Sequence, residues 1–168
     1  MENVGPQPPE MELHAAWMRR ALELADKGSA IGEVPVGCII VGGEAGAERI
    51  LGEGTNSRES AQDPTGHAEM AAIRASAKTL GAWRLEKTTA YVTLEPCAMC
   101  AGALVLARVE RVVFGALDPK AGAVISSFGI GRDGRLNHQF EVVGGVLAEE
   151  CGGKLSTFFA ALRAQGKK

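Results

Sequence analysis

Ala90 to Gly115 read AYVTLEPCAMCAGALVLARVERVVFG. Ala90 to Leu94 form a short apolar run suited to a buried strand, Glu95-Pro96-Cys97 turn the chain, Cys97 to about Ala107 read as a helix, and Val109 to Gly115 as a further strand. Strand, helix and strand in succession imply a parallel pair with a helical crossover, and hence an α/β domain. Pro96 suits the first helical turn, where no amide hydrogen is missed.

Working outward, Asp63-Pro64-Thr65-Gly66 punctuate the chain before a helix from about His67 to Leu80, in which Met70, Ile73, Ala77 and Leu80 share an apolar stripe. Val34 to Val41 and Arg49 to Asn56 flank a Gly-rich turn and read as an antiparallel hairpin. Before them, Leu13, Ala16, Trp17, Ala21, Leu24 and Ala25 recur at helical spacing from Glu12 to about Lys27, and Gly28 is placed to end that helix. A glycine-rich loop over 116–134 precedes a last strand around 139–143 and a C-terminal helix from Leu147 to about Ala164. Helices on both faces of one sheet are expected. Residues 1–11, with Pro6, Pro8 and Pro9, read as a flexible leader, and residues 12–168 as a single domain.

Composition narrows the function. A chain of 168 residues with 46% apolar content buries roughly 70% of its unfolded surface, which is ample for a core without staples. Four cysteines, Cys38, Cys97, Cys100 and Cys151, are too few and too unevenly spread for a disulfide scaffold and fit a reducing cytoplasm. No apolar run is long enough for a membrane span, and the first ten residues lack the apolar core of a signal peptide. A net charge of −2 excludes a broadly basic nucleic-acid-coating protein, so any contact with nucleic acid is local.

Two fragments carry chemistry. His67-Ala68-Glu69 open one helix, and Pro96-Cys97-Ala98-Met99-Cys100 open another. Cysteines at i and i+3 share a helical face, and a helix N-terminus favours the thiolate that ligates. One imidazole and two thiolates make three ligands for zinc and leave a fourth position open for water, which is catalytic rather than structural geometry. Zinc lowers the pKa of a bound water from 15.7 to about 7, roughly 12 kcal/mol toward hydroxide at neutral pH. Glu69, not a ligand, would take the water proton, pass it to a ring nitrogen and help the amine leave. Residues i and i+2 of a helix point about 200° apart, so His67 and Glu69 share a site only if it sits over the helix end. By itself C-x-x-C also suits a redox pair, or half of a structural zinc site completed by Cys38 or Cys151; the H-x-E fragment favours the catalytic reading. Cys38 and Cys151 otherwise read as buried small hydrophobes, His14 and His138 as core or solvated histidines, and Arg108, Arg111, Arg132, Arg135, Lys167 and Lys168 as surface cations.

H-x-E with P-C-x-x-C resembles the signature of the zinc-dependent nucleobase deaminases. From about Leu13 to Arg163 the chain is similar to the bacterial tRNA-specific adenosine deaminases. The shared stretches include Glu33-Val34-Pro35-Val36-Gly37, Gly52-Glu53-Gly54 with Asn56, Asp63-Pro64-Thr65, Thr93-Leu94-Glu95-Pro96-Cys97, Arg111-Val112-Val113-Phe114-Gly115, Asp118 with Lys120, and Leu136-Asn137-His138. The resemblance implies an α/β/α sandwich around a five-stranded mixed sheet, one Zn2+ per subunit, a homodimer, and conversion of the wobble adenosine of a tRNA anticodon loop, that of an arginine tRNA, to inosine. It implies that Asn56 bonds the target base or its ribose, that Val36 walls the pocket with Ala68 and Pro96 beside it, and that Asp118 and Lys120 touch the flanking anticodon loop. Phe158 and Phe159 would offer a stacking face, or pack in the core. A free-base or nucleotide deaminase is the alternative. The stretches 55–62 and 123–135 do not track the family closely.

Overall fold

The computed structural model describes residues 7–167. Within them lie α1 (Pro8–Ala30), β1 (Gly37–Gly42), β2 (Arg49–Thr55), α2 (Ala68–Leu80), β3 (Thr89–Leu94), α3 (Ala98–Leu106), β4 (Arg111–Ala116), β5 (Glu141–Val143) and α4 (Ala148–Ala164). The strands form one sheet in the order β2-β1-β3-β4-β5, antiparallel across β2, β1 and β3 and parallel from β3 through β4 to β5. The expected five-stranded mixed sheet between helical layers is what the chain adopts.

Side chains alternate across the sheet, and both faces are apolar. Ile39, Tyr91 and Val113 pair in register and pack with Met18, Leu22 and Cys151 beneath α1 and α4. Ile40, Ala90 and Val112 pair in the neighbouring row and pack with Ala72, Leu104 and Phe114 beneath α2 and α3. Each large aliphatic side chain buried this way contributes about 1.5–3 kcal/mol. Antiparallel β1 and parallel β4 bring the start of β1, the end of β2 and the end of β3 to one edge of the molecule; there Gly37 N donates to Thr93 Oγ1 at 3.2 Å. The N-termini of α2 and α3 follow directly from that edge.

Two glycines of β2 let α2 lie close. A Cβ at Gly54 would collide with the Ala68 carbonyl oxygen and stand 2.8 Å from Ala72 N, and one at Gly52 would stand 2.6 Å from Ala72 O. The small residues therefore set the depth at which the helix rests on the sheet.

Several boundaries differ from expectation. Residues 1–6 of the expected leader lie outside the described residues, but Pro8 to Met11 are helical, because proline in the first turn forfeits no hydrogen bond and Glu10 favours the helix N-terminus. Gly28 does not end α1, which continues to Ala30; a Cβ there would meet the Thr55 side chain. Strand β1 begins at Gly37 rather than Val34, since Val36 N bonds back to Val34 O at 2.8 Å and turns the chain. Pro96 stands before α3 rather than in its first turn, because Cys97 is the N-cap. Arg111 is half-buried and paired with Glu10 and Glu141 rather than simply solvated.

Candidate metal centre and active site

His67 and Cys97 occupy equivalent places, each the N-cap of a helix with extended backbone (φ −91°, ψ 150° and φ −73°, ψ 176°). Neither caps its helix through its own side chain, so both side chains are free to face one another across the sheet edge. His67 Nδ1 lies 3.6 Å from Cys97 Sγ and 3.5 Å from Cys100 Sγ. The three donor atoms fall within 4.8 Å of one another, and among the described residues they are the metal-holding group of this kind. Buried Cys38, Cys151 and His14, the last bonded to Tyr91, lie outside it, as does half-buried His138, bonded to Val109 O. The structural-zinc alternative that needed Cys38 or Cys151 fails on this geometry.

The spacing fits zinc. Bonds of about 2.05 Å to nitrogen and about 2.3 Å to sulfur, opened to a tetrahedral angle, place N and S about 3.6 Å apart. The observed 3.5 and 3.6 Å match that edge. A zinc ion held by His67, Cys97 and Cys100 would supply an activated water. The thiols are electrostatically prepared: a hydrogen bond from Cys100, with help from His67, pulls Cys97 down to about 4, while the bond to Cys97 and burial push Cys100 up. His67 is held above the usual imidazole range, chiefly by its bond to Cys97.

Glu69 sits at the second position of α2 and is 4% exposed. With His67 extended at the cap, the turn of 200° that separates the two residues in a regular helix does not apply, and the carboxyl and the imidazole reach one space over the helix end. Burial pushes the Glu69 carboxyl up to about 7, against the opposing pull of a backbone hydrogen bond and His67. A carboxyl with that value both takes and gives a proton near neutrality.

The other expected site residues divide. Val36, Ala68 and Pro96 are buried beside the ligands, at the start of β1 and at the two helix entries. Asn56 joins two of those segments: its Nδ2 donates to Val34 O at 3.1 Å, and its Oδ1 accepts the Ala68 amide at 3.0 Å. Asp118 folds its own loop, accepting the Lys120 and Ala121 amides at 3.0 and 3.1 Å, while Lys120 is exposed. Phe158 is half-buried in a cleft of about 790 Å³ between α1 and α4, with Asp26, Pro35 and Lys154; Phe159 is exposed beside it, edge to face at 5.6 Å. Phe158 therefore lines a cleft while Phe159 stands exposed next to it, and neither belongs to the core clusters.

Two residues given no role by the sequence analysis matter here. Glu33 and Glu95 are 1% and 2% exposed, and each carboxylate collects backbone amides from a loop beside the metal centre. Their signal in the sequence was a lone acid at the edge of an apolar segment.

A family model for the cytidine and deoxycytidylate deaminase zinc-binding region matches residues 11–116. Curated relatives include tRNA-specific adenosine deaminases of Haemophilus influenzae, 51% identical over 93% of this chain and 88% of that protein, and of Bacillus subtilis, 51% identical over 90% and 91%. A solved structure from a study of A-to-I editing by tRNA:A34 deaminases at the wobble position of transfer RNA superposes with TM-score 0.78 at 36% identity, covering 83% of this chain and 99% of that one. A guanine deaminase from Bacillus subtilis superposes with TM-score 0.57 at 39% identity over 62% of this chain and 64% of its own. The family model covers more than half of the chain, and His67, Cys97 and Cys100 are grouped as a metal ion requires: the chain belongs to the cytidine and deoxycytidylate deaminase family of zinc-dependent hydrolytic deaminases.

Proposed function

We propose that this enzyme deaminates the wobble adenosine of a tRNA anticodon loop, with an arginine tRNA as the expected substrate, to inosine. The observation that carries the reaction is the buried Glu69 carboxyl beside a group of three potential metal ligands, His67, Cys97 and Cys100. Glu69 takes one proton from the attacking water and delivers it to the adenine ring nitrogen; the remaining proton of that water then passes from the added hydroxyl to the exocyclic amine, which leaves as ammonia while the ring carbon keeps the oxygen as a carbonyl. Val36, Ala68 and Pro96 wall the pocket, and Asn56 keeps one N–H and one lone pair for the base or ribose. Lys120 and Asp118 meet the flanking nucleotides, and Phe158 and Phe159 offer faces on which a splayed base stacks. A wobble base is unpaired, so its presentation needs no duplex opening and no extended basic surface, in keeping with the net charge of −2.

The tRNA assignment is supported by the 51% identity to tRNA-specific adenosine deaminases over nearly the full chain. The same reading expects a cytoplasmic enzyme, with which four free cysteines agree; no helix among the described residues is long and apolar enough to cross a membrane. Homodimer formation is part of the same reading: Leu106, Ile125 and Phe128, at the end of α3 and in the loop after β4, are 69%, 44% and 58% exposed in the single chain. Incubation of the zinc-loaded enzyme with an anticodon stem-loop carrying adenosine at the wobble position, then digestion to nucleosides, is expected to yield inosine. No inosine from an enzyme with a full complement of zinc refutes the assignment. A second reading, a free-base deaminase, is favoured by the likeness to the guanine deaminase; ammonia released from guanine with the stem-loop unchanged selects it.

A further inference from the structure

The carboxylate of Glu95 lies between the last residue of β3 and the metal ligand Cys97, and the 118–126 loop is folded around it. Its Oε1 accepts the amides of Ile125 and Ser126 at 2.7 and 2.8 Å; its Oε2 accepts the Asp118 amide at 3.0 Å and the Ser126 hydroxyl at 2.5 Å. Gly122 passes so close that a Cβ would collide with the same carboxylate. Gly122 also bridges Cys97, and Ala123 N donates to Pro96 O at 2.9 Å, so the loop runs along the metal-bearing turn. Cys97 also has anchors outside the loop: its carbonyl accepts the Ala101 amide at 2.8 Å as α3 begins, and Glu95 N bonds Ala116 O at 2.9 Å. The loop has no helix or strand of its own, and four of its donors end on one side chain. A buried carboxylate with four donors is a strong anchor, and removing it takes the shared partner from three loop amides and one hydroxyl.

We propose that Glu95 is a positioning residue for substrate: it fixes the 118–126 loop, with Asp118 and Lys120, as a preformed rim of the active site, and so determines how tightly RNA is held rather than how fast the base reacts. The inference rests on the proposed tRNA function and sharpens it by assigning the rim's order to a residue that touches neither metal nor base. A preformed rim spares the ordering entropy a mobile loop would lose on binding. Glu69 is carried by α2 and Cys100 by α3, with His67 and Cys97 at the two N-caps, so the loop meets the metal-bearing residues only through the backbone of Pro96 and Cys97.

Glu95→Gln tests this, with stem-loop kinetics, zinc content and amide hydrogen exchange measured together. Faster exchange at Asp118, Ile125 and Ser126, unchanged zinc, kcat within about twofold and KM raised about tenfold are expected, the loss of roughly one charge-assisted contact. Ser126→Ala, which removes one of the four donors, is expected to raise KM about twofold to fourfold in the same direction, and it decides the matter if Glu95→Gln does not fold. Faster exchange with unchanged KM overturns the proposal, because rim order then has no bearing on binding. Loss of zinc, or a fall in kcat with KM unchanged, also overturns it and assigns Glu95 to the metal-bearing turn. Wild-type enzyme that leaves the stem-loop untouched refutes the tRNA function first and this inference with it, an outcome distinct from a variant-only failure.

Discussion

The side-chain oxygen of Asn56 accepts the backbone amide of Ala68 at 3.0 Å, so the helix that carries Glu69 is capped from the end of a neighbouring strand rather than by its own N-cap residue. The N-cap, His67, is thereby released for the metal. Asn56→Ala leaves the Ala68 amide without its partner, with an expected loss of about 1–3 kcal/mol. Asn56→Asp keeps the acceptor and loses only the donation to Val34 O, so its loss is smaller. Chemical denaturation of both variants checks the order; equal losses would show that the cap is not what Asn56 contributes.

Glu69 is close enough to the ligands to serve the reaction and is absent from the ligand set. Glu69→Gln removes the proposed proton carrier at nearly constant shape. Zinc content stays at one per chain and kcat falls roughly 10²–10⁴-fold, the usual worth of general acid–base catalysis. Metal analysis beside single-turnover kinetics reads both quantities, and a variant that loses its zinc contradicts the assignment of Glu69 as a non-ligand.

Gly54 sets the seat of α2 against β2. Gly54→Ala drives a methyl group into the Ala68 carbonyl, forces the helix outward and is expected to destabilise the fold by about 1–3 kcal/mol. Because Ala68 separates His67 from Glu69, the same displacement weakens zinc retention. A competition titration with a chelator measures this. Wild-type retention in a destabilised variant would mean that α2 adjusts without moving its first turn.

Glu33 accepts the Ser60 and Glu59 amides at 2.6 and 3.3 Å and ties the 57–66 loop to the turn before β1. Burial opposes its charge, but the Ser60 and Glu59 bonds and nearby Arg58 outweigh this and hold the carboxyl below its ordinary 4.5. A depressed folded value means that Glu33 stabilises the fold fully above about pH 4.5, and that this contribution disappears as pH falls through the lower folded value. Glu33→Gln is expected to reduce stability by roughly 1–2 kcal/mol at pH 7, the discounted worth of two charge-assisted bonds just beneath the surface. The variant and wild type then converge toward pH 3. Denaturation midpoints across pH 3–7 read the difference, and parallel curves would assign the acid sensitivity to other carboxylates.

Much of this enzyme is legible in one dimension because its governing interactions are local or periodic. Short apolar runs mark the central strands, helical spacing marks α1 and α2, and the strand-turn-helix-strand run from Ala90 to Gly115 dictates a parallel pair. The ligand set was readable for the same reason: Cys97 and Cys100 sit three apart at one helix entry, and His67 and Glu69 two apart at another. Single-chain patterns misplaced Pro8, Gly28 and Pro96 because proline and glycine terminate or begin a helix according to what packs beside them.

Tertiary structure alone decided how those pieces meet. Only the sheet order β2-β1-β3 brings the entries of α2 and α3 to one edge, and only there does Nδ1 of His67 come within 3.5–3.6 Å of two sulfurs sequence-remote from it. The clamps at Asn56, Glu33 and Glu95 were invisible for a related reason. Each is a polar side chain satisfying backbone amides 12, 27 and 30 residues away, and no sequence periodicity marks a hydrogen bond whose partner is chosen by the fold.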